Sequence, residues 1–393
     1  MDFKQKVVLG IRYSLIATLI CCMLCALYML MYKKGKRLKV GDIVITLLIV
    51  LISSLRYDVG TDYDRYVRSA ANVPRLFSNF RSLYSLDIIR EWSYEIGFET
   101  IALITSKVTD SPYAIFWAFS IIIYVPIMWY FRKKTSNAFI AFSFFILFGF
   151  WGMSLNIIKQ FTAMVMVLFF YEAMKEKRTV ACVLIGIIAI MFHLTALSVE
   201  LFVILANKKI LSKILKPTRG TLLWVVIVGI ALRLSTGWIV RLLSFGKLFR
   251  KYIGYVNSDS LSRTFILIDA LIEAILVFSL IYIAINCIDR LRAKNAQIDS
   301  IIALLMVGLV FNIVGISRTL WVCKRYADYF YMFFFAVIPD LLGGDKNYVS
   351  NKHTVLVEKK NVLFWMIMVL WHLCYAVLSL DNHSFVIQTY LFK

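Results

Sequence analysis

The sequence predicts an all-α, polytopic integral membrane protein of about 12 transmembrane helices, with one further re-entrant or interfacial helix near 94–108. Three observations predict it. Hydrophobic residues make up 61% of the 393 positions, mean hydropathy is +0.78, and only 17% of residues are charged, whereas soluble domains sit near half apolar and a quarter charged. The apolar residues gather in runs suited to a hydrocarbon core of ~30 Å. The formal charge of +21 falls in short basic blocks between those runs. That is the positive-inside pattern of a membrane protein, and it argues against nucleic acid as a partner.

The apolar segments run at about 7–31, 40–55, 111–131, 137–153, 156–174, 179–193, 194–207, 221–239, 263–287, 299–316, 319–342 and 361–380. The first is too long for a secretory signal core and lacks a small-residue cleavage site. The block "KKGKRLK" behind it places the N-terminus outside. Alternation then puts "FRKK", "MKEKR", "KKILSKILK", "DRLRAK" and the 343–360 loop in the cytoplasm, and the C-terminus outside. The stretch "YEIGFETIALITSKV", 94–108, is left out of the count because as a helix it reaches only ~22 Å. If it spanned, every later basic block would change sides.

Two external stretches result, about 56–110 and 240–262. The second mixes Phe and Tyr with Lys and Arg and reads as an interfacial helix on the outer leaflet. With no internal repeat, linker or soluble domain, residues 1–393 form a single membrane domain. The seven cysteines lie in or beside apolar segments, without metal-ligand spacing, and read as small apolar residues.

Ionisable groups inside membrane segments are costly and usually face a cavity or a partner. Arg56 and Asp58 lie at the outer end of the second segment, and Asn156, Lys159 and Gln160 begin the fifth. His193, Thr195 and Glu200 follow at an outer turn. Arg233, Asp269 and Glu273 occupy outer halves, and Asn312, Arg318, Lys324, Arg325 and Asp328 surround the last outer turn. Singly, each reads as a snorkelling side chain or a buried pair, and Lys324, Arg325 and Asp328 as an intrahelical pair. Together they describe a polar cavity open to the outside, since an ion path would need polar groups at every depth. Only Asp328 is expected as an acid near the cations of this set.

The stretch "LRYDVGTDYDRYV", 55–67, places three Asp, two Arg and three Tyr where an apolar segment ends. Gly60 supplies a turn, Thr61 a helix cap and Asp64 a first-turn acid. That leaves Arg56 unexplained, and the tyrosines beside Asp62. Tyr63 and Tyr66 read either as an aromatic belt or as faces for sugar rings. Asp62 and Asp64 offer a divalent cation a D-x-D pair, a weak signal, and no metal site is assigned.

Taken with "EIGFE", "NIIKQFTA", "FHLTA" and "SRTLWVCKRYADYF" in that order, this stretch resembles the EpsG-like branch of Wzy-type polysaccharide polymerases over roughly residues 50–335. The family usually has Arg where this chain has Lys159, and often Pro where it has Ile96. Lysine keeps the charge and loses the two-pronged fork. The resemblance implies a glycosyltransferase in the bacterial cytoplasmic membrane that joins oligosaccharide repeat units carried on undecaprenyl diphosphate at the outer face. It also implies a chain-length regulator and a flippase of the same pathway as partners. Capsule, O-antigen and exopolysaccharide stay open as products.

For that chemistry Asp62 and His193 are the candidate bases. Arg56, Lys159, Arg318, Lys324 and Arg325 are candidates for the leaving diphosphate, and Tyr63, Tyr66, Asn156 and Gln160 for the sugar, with capping or bracing of the fifth segment as the other reading of Asn156 and Gln160. His353 falls on the cytoplasmic side, and His372 and His383 lack partners in the pattern. The competing classes are a lipid-linked sugar flippase, which needs polar groups through both membrane halves, and an O-acyltransferase, which needs a channel from the cytoplasm.

Overall fold

The computed structural model describes residues 18–28, 30, 39–60, 62–76, 96–235, 262–317, 320, 322–342 and 363–374. Every regular element among them is helical. In chain order they are α1 (Thr18–Tyr28), α2 (Lys39–Ser54), α3 (Tyr63–Leu76), α4 (Ile96–Ser106), α5 (Ala114–Lys134), α6 (Ala138–Leu147), α7 (Phe150–Asn156), α8 (Ile158–Lys175) and α9 (Thr179–Phe192). There follow α10 (Thr195–Asn207), α11 (Ile210–Ile214), α12 (Arg219–Leu234), α13 (Ser262–Asn286), α14 (Ile288–Lys294), α15 (Ile298–Gly315), α16 (Val322–Tyr331), a 3-10 turn Met332–Ala336, and α17 (Ile338–Leu342). The last is α18 (Leu363–Cys374). The expected interfacial helix at 240–262 and the 343–360 loop lie outside the described residues.

Each predicted apolar segment contains helix, but length and composition qualify fewer as spans. Ala114–Lys134, Leu267–Asn286 and Ile298–Gly315 are long and apolar enough to cross a membrane, and α6 with α7 makes a fourth if the bent pair is one span. Six apolar helices of 10–17 residues are shorter, and at 1.5 Å per residue they fall short of a ~30 Å core. The chain is an integral membrane protein. Within the stretch 94–108, Ile96–Ser106 form an 11-residue helix, α4, one of these six shorter helices.

Contacts divide the chain into two compact units. The first gathers the described residues up to Phe169, Val180–Leu197, and those from Leu342 onward. In it α2 lies along α5. The Tyr28 hydroxyl donates to Asp42 at 2.7 Å, with Arg132 Nε 3.5 Å from the other carboxylate oxygen. Helix α3 is amphipathic, burying Tyr63, Tyr66, Ala70 and Val73 at helical spacing, and it packs on α4.

One predicted segment differs. Residues 137–153 read as one continuous helix, yet the chain bends by 59° between α6 and α7. Gly149 takes φ +102°, the left-handed region that glycine enters without steric cost. A break strands carbonyls that need donors. Here Trp371 Nε1 donates to Phe148 O at 3.1 Å and His372 Nδ1 to Leu147 O at 3.2 Å. His372 therefore has a partner that the sequence pattern did not reveal.

The second unit gathers Phe170–Thr179 and Ser198–Leu341. Helix α15 is its buried centre, with α12, α13 and α16 packed on it. Phe311 stacks on Phe330 with ring centroids 5.9 Å apart, and Phe202 meets Phe330 edge-on.

Candidate functional site

The turn between α2 and α3 carries two residues with positive φ, Asp58 at 52° and Gly60 at 93°. Asp tolerates that region better than most residues, and Gly enters it freely. The turn also fits closely against α7. A Cβ on Gly60 would lie 2.8 Å from Asn156 Oδ1 and 3.1 Å from Asn156 Cα. The Asp62 backbone N–H donates to Asn156 Oδ1 at 3.3 Å, and the Asp62 carbonyl accepts the Tyr66 N–H at 3.0 Å, opening α3. Asp62 thus stands at the cap position, partly exposed, while Thr61, expected as the cap, lies outside the described residues. Asp64 is exposed two positions further on, and side chains at that spacing do not face each other on a helix.

Arg56 points inward. It is 4% exposed, its guanidinium carbon lies 4.2 Å from the Phe116 ring centroid, and Nη1 donates to Ser53 O at 3.4 Å. Phe116 also stacks with Tyr63 at 4.8 Å. Burial pushes the Tyr63 phenol up to about 12, so it stays protonated at neutral pH. Its hydroxyl is buried with no hydrogen-bond partner among the described residues. Beneath Arg56 runs a polar chain in which Trp151 Nε1 donates to Ser53 Oγ at 3.0 Å. The Ser154 hydroxyl donates to Trp151 O at 2.6 Å and lies 2.7 Å from the Tyr124 hydroxyl.

Lys159 begins α8. Its Nζ sits 4.3 Å from the Phe98 centroid and 5.8 Å from that of Tyr66, and those two rings are 5.7 Å apart. Gln160 is buried beside it. From Phe98 a line of rings leads through Phe119 (5.6 Å) to Phe192 (5.9 Å), the residue before His193. Helix α4 seats directly on that end of α9, since a Cβ on Gly97 would lie 2.8 Å from Phe192. His193 Nδ1 meets Thr195 Oγ1 at 2.6 Å, which orients the ring. The first unit therefore holds Arg56, Asp62, Tyr63, Tyr66, Asn156 and Lys159 on contacts around α3 and α4, with Gln160 and His193 adjacent in the chain to residues of that set.

Lys324 and Arg325 belong to the second unit, and Arg318 lies outside the described residues. Lys324 Nζ is 3.1 Å from Asp269 and 2.9 Å from Glu273, and Asn312 donates to the same Glu273 oxygen at 3.2 Å. This corrects the expectation that Asp328 is the only acid near these cations. The signal was present, because Asp269 and Glu273 are one turn apart and share a face of an apolar helix. Arg233, at the end of α12, donates to Ile316 O at 2.6 Å, bracing the turn after α15. Among the described residues no group of three or more His, Cys, Asp or Glu side chains is arranged to hold a metal ion.

The family model that matches this chain is the EpsG family, over residues 39–392. No curated protein and no solved structure matches it.

Proposed function

The chain belongs to the EpsG family of Wzy-like polysaccharide polymerases, and on that premise we propose that it joins oligosaccharide repeat units carried on a polyprenyl diphosphate. In this reading it lies in the bacterial cytoplasmic membrane with twelve crossings, both termini outside, and its site open at the outer face. A hydroxyl of one repeat unit attacks the anomeric carbon of another. The bond from that carbon to the diphosphate oxygen breaks, and the hydroxyl proton passes to a base.

The observation that carries this reading is that the first unit holds a partly exposed carboxylate, Asp62, whose amide is bonded by Asn156, and a ring-seated cation, Lys159, three residues after Asn156. Asp62 is the proposed base and His193 the second candidate. Lys159, Arg318 and Arg325 are the cations proposed from the sequence for the leaving diphosphate, whereas Tyr63 and Tyr66, buried against Phe116 and Phe98, brace α3 instead of offering faces to sugar. Lys324, already paired with two carboxylates, contributes through the turn it holds. Arg56, buried on Phe116, positions the Gly60 turn rather than touching the substrate. The reaction as proposed needs no metal, and activity that survives a chelator is the expected outcome. A chain-length regulator and a flippase acting on the same lipid-linked units are the proposed partners.

Deleting the gene and profiling lipid-linked oligosaccharides tests the proposal. Single repeat units should accumulate on the outer leaflet while long chains vanish. Accumulation on the inner leaflet would instead identify a flippase, and unchanged chains lacking an acyl group would identify an acyltransferase.

A further inference from the structure

Asn156 stands between two irregularities of the backbone. The bend at Gly149 turns α7 away from α6 by 59°, and Trp371 and His372 hold the carbonyls that the bend exposes. The direction of α7 is thus fixed where it starts. It ends at Asn156, because Ile157 leaves helical geometry (φ −105°, ψ 54°) before α8 begins. Asn156 there meets the turn before α3. Its Oδ1 accepts the Asp62 N–H at 3.3 Å, and a Cβ on Gly60 would reach within 2.8 Å of it. One side-chain oxygen therefore touches both the glycine that makes the turn and the amide of the proposed base.

We infer that Asn156 is a positioning residue: its amide oxygen sets the Gly60–Asp62 turn, and so the placement of the Asp62 carboxylate relative to α8, which carries Lys159. This rests on the reading of Asp62 as base in the proposed polymerase reaction. Of the two roles the sequence leaves open for Asn156, sugar contact and bracing, it takes the second. The contact to the turn uses an acceptor, Oδ1. Aspartate keeps the acceptor and alanine removes it. A base set slightly out of place loses rate, whereas ground-state binding through other groups survives.

The test uses the full-length protein in proteoliposomes, with lipid-linked repeat units extracted from the deletion strain as donor and acceptor. Asn156→Ala should lower kcat tenfold or more with KM within threefold of wild type, and Asn156→Asp should keep at least a third of wild-type kcat. A raised KM with kcat retained in the alanine variant would overturn the inference. So would an aspartate variant as poor as the alanine one, since that would mean the acceptor oxygen is not what the position supplies. If the alanine variant does not accumulate, Asn156→Asp decides by the same split.

A second readout needs no turnover. In a protein stripped of its native cysteines, Asp62→Cys should react with an impermeant maleimide at a rate that Asn156→Ala changes at least threefold. Asp64→Cys should react at an unchanged rate. Equal rates at position 62 in both backgrounds would overturn the inference whatever the reaction is. Wild-type protein that makes no polymer from this donor would instead overturn the polymerase proposal, leaving the labelling result to stand by itself.

Discussion

The two units seat a partly buried cation in different ways. In the first, Lys159 sits over the faces of Phe98 and Tyr66, and Arg56 over Phe116. In the second, Lys324 is held between Asp269 and Glu273, with 12% of its own side chain exposed and 15% and 3% of theirs. A ring face attracts a cation without cancelling its charge, at roughly 0.5–2 kcal/mol. A carboxylate offsets the charge, and removing one member of such a buried pair costs about 3–5 kcal/mol because the partner is left alone. The ring faces fix where Lys159 and Arg56 stand, while the two carboxylates around Lys324 tie α16 to α13. Sequence alone presents Lys159 and Lys324 as equals, and their surroundings make them different.

The comparison can be broken from either side. We predict the largest effect at Asp62→Asn, in the first unit. The carboxamide keeps the size and cannot take the proton, so polymer formation should fall roughly 10²- to 10⁴-fold with protein level unchanged on a membrane immunoblot. Normal chain formation would pass the role of base to His193.

Next comes Lys324→Met, which should act on stability. Leaving Asp269 and Glu273 without their cation should destabilise the second unit by about 3–5 kcal/mol, seen as a lowered melting temperature in detergent. Adding Glu273→Gln should recover part of it. A Lys324→Met protein that melts like wild type and only loses activity would place Lys324 among the substrate contacts instead.

Smaller still is Arg325→Gln, since Arg325 is half-buried on α16 and is proposed to meet the diphosphate. One charge-assisted contact is worth about 1.5–3 kcal/mol, so turnover should drop roughly 10- to 150-fold at normal protein level. Retained turnover would remove Arg325 from the site. The smallest effect belongs to Lys159→Arg. Guanidinium planes also stack on aromatic faces, and activity is expected within about threefold of wild type. A large loss would mean that the compact ammonium, not the charge, is what Phe98 and Tyr66 select.

Much of this was legible in the sequence, for local reasons. The helical apolar segments follow from composition, and α4 from a run too short to span. The turn at Gly60 follows from the glycine beside clustered Asp and Tyr. The bend at Gly149 was not legible, because "FFILFGFWGM" is equally apolar on both sides of the glycine. What reveals the bend is a pair of donors from α18, far along the chain. The ring seats of Arg56 and Lys159 were hidden for the same reason, since Phe116 and Phe98 look like ordinary membrane residues until α5 and α4 bring them over. Asp269 and Glu273 were visible as costly acids, but nothing local ties them to a lysine on α16. Pattern reading finds where charge lies and leaves its partner to tertiary packing.

The most direct test of the central claim is chain growth by the purified protein in proteoliposomes supplied with lipid-linked single repeat units. The account predicts a ladder of longer lipid-linked chains, one polyprenyl diphosphate released per linkage formed, and no ladder from Asp62→Asn protein. Movement of the repeat unit across the bilayer without elongation, or a ladder undiminished by Asp62→Asn, would contradict it.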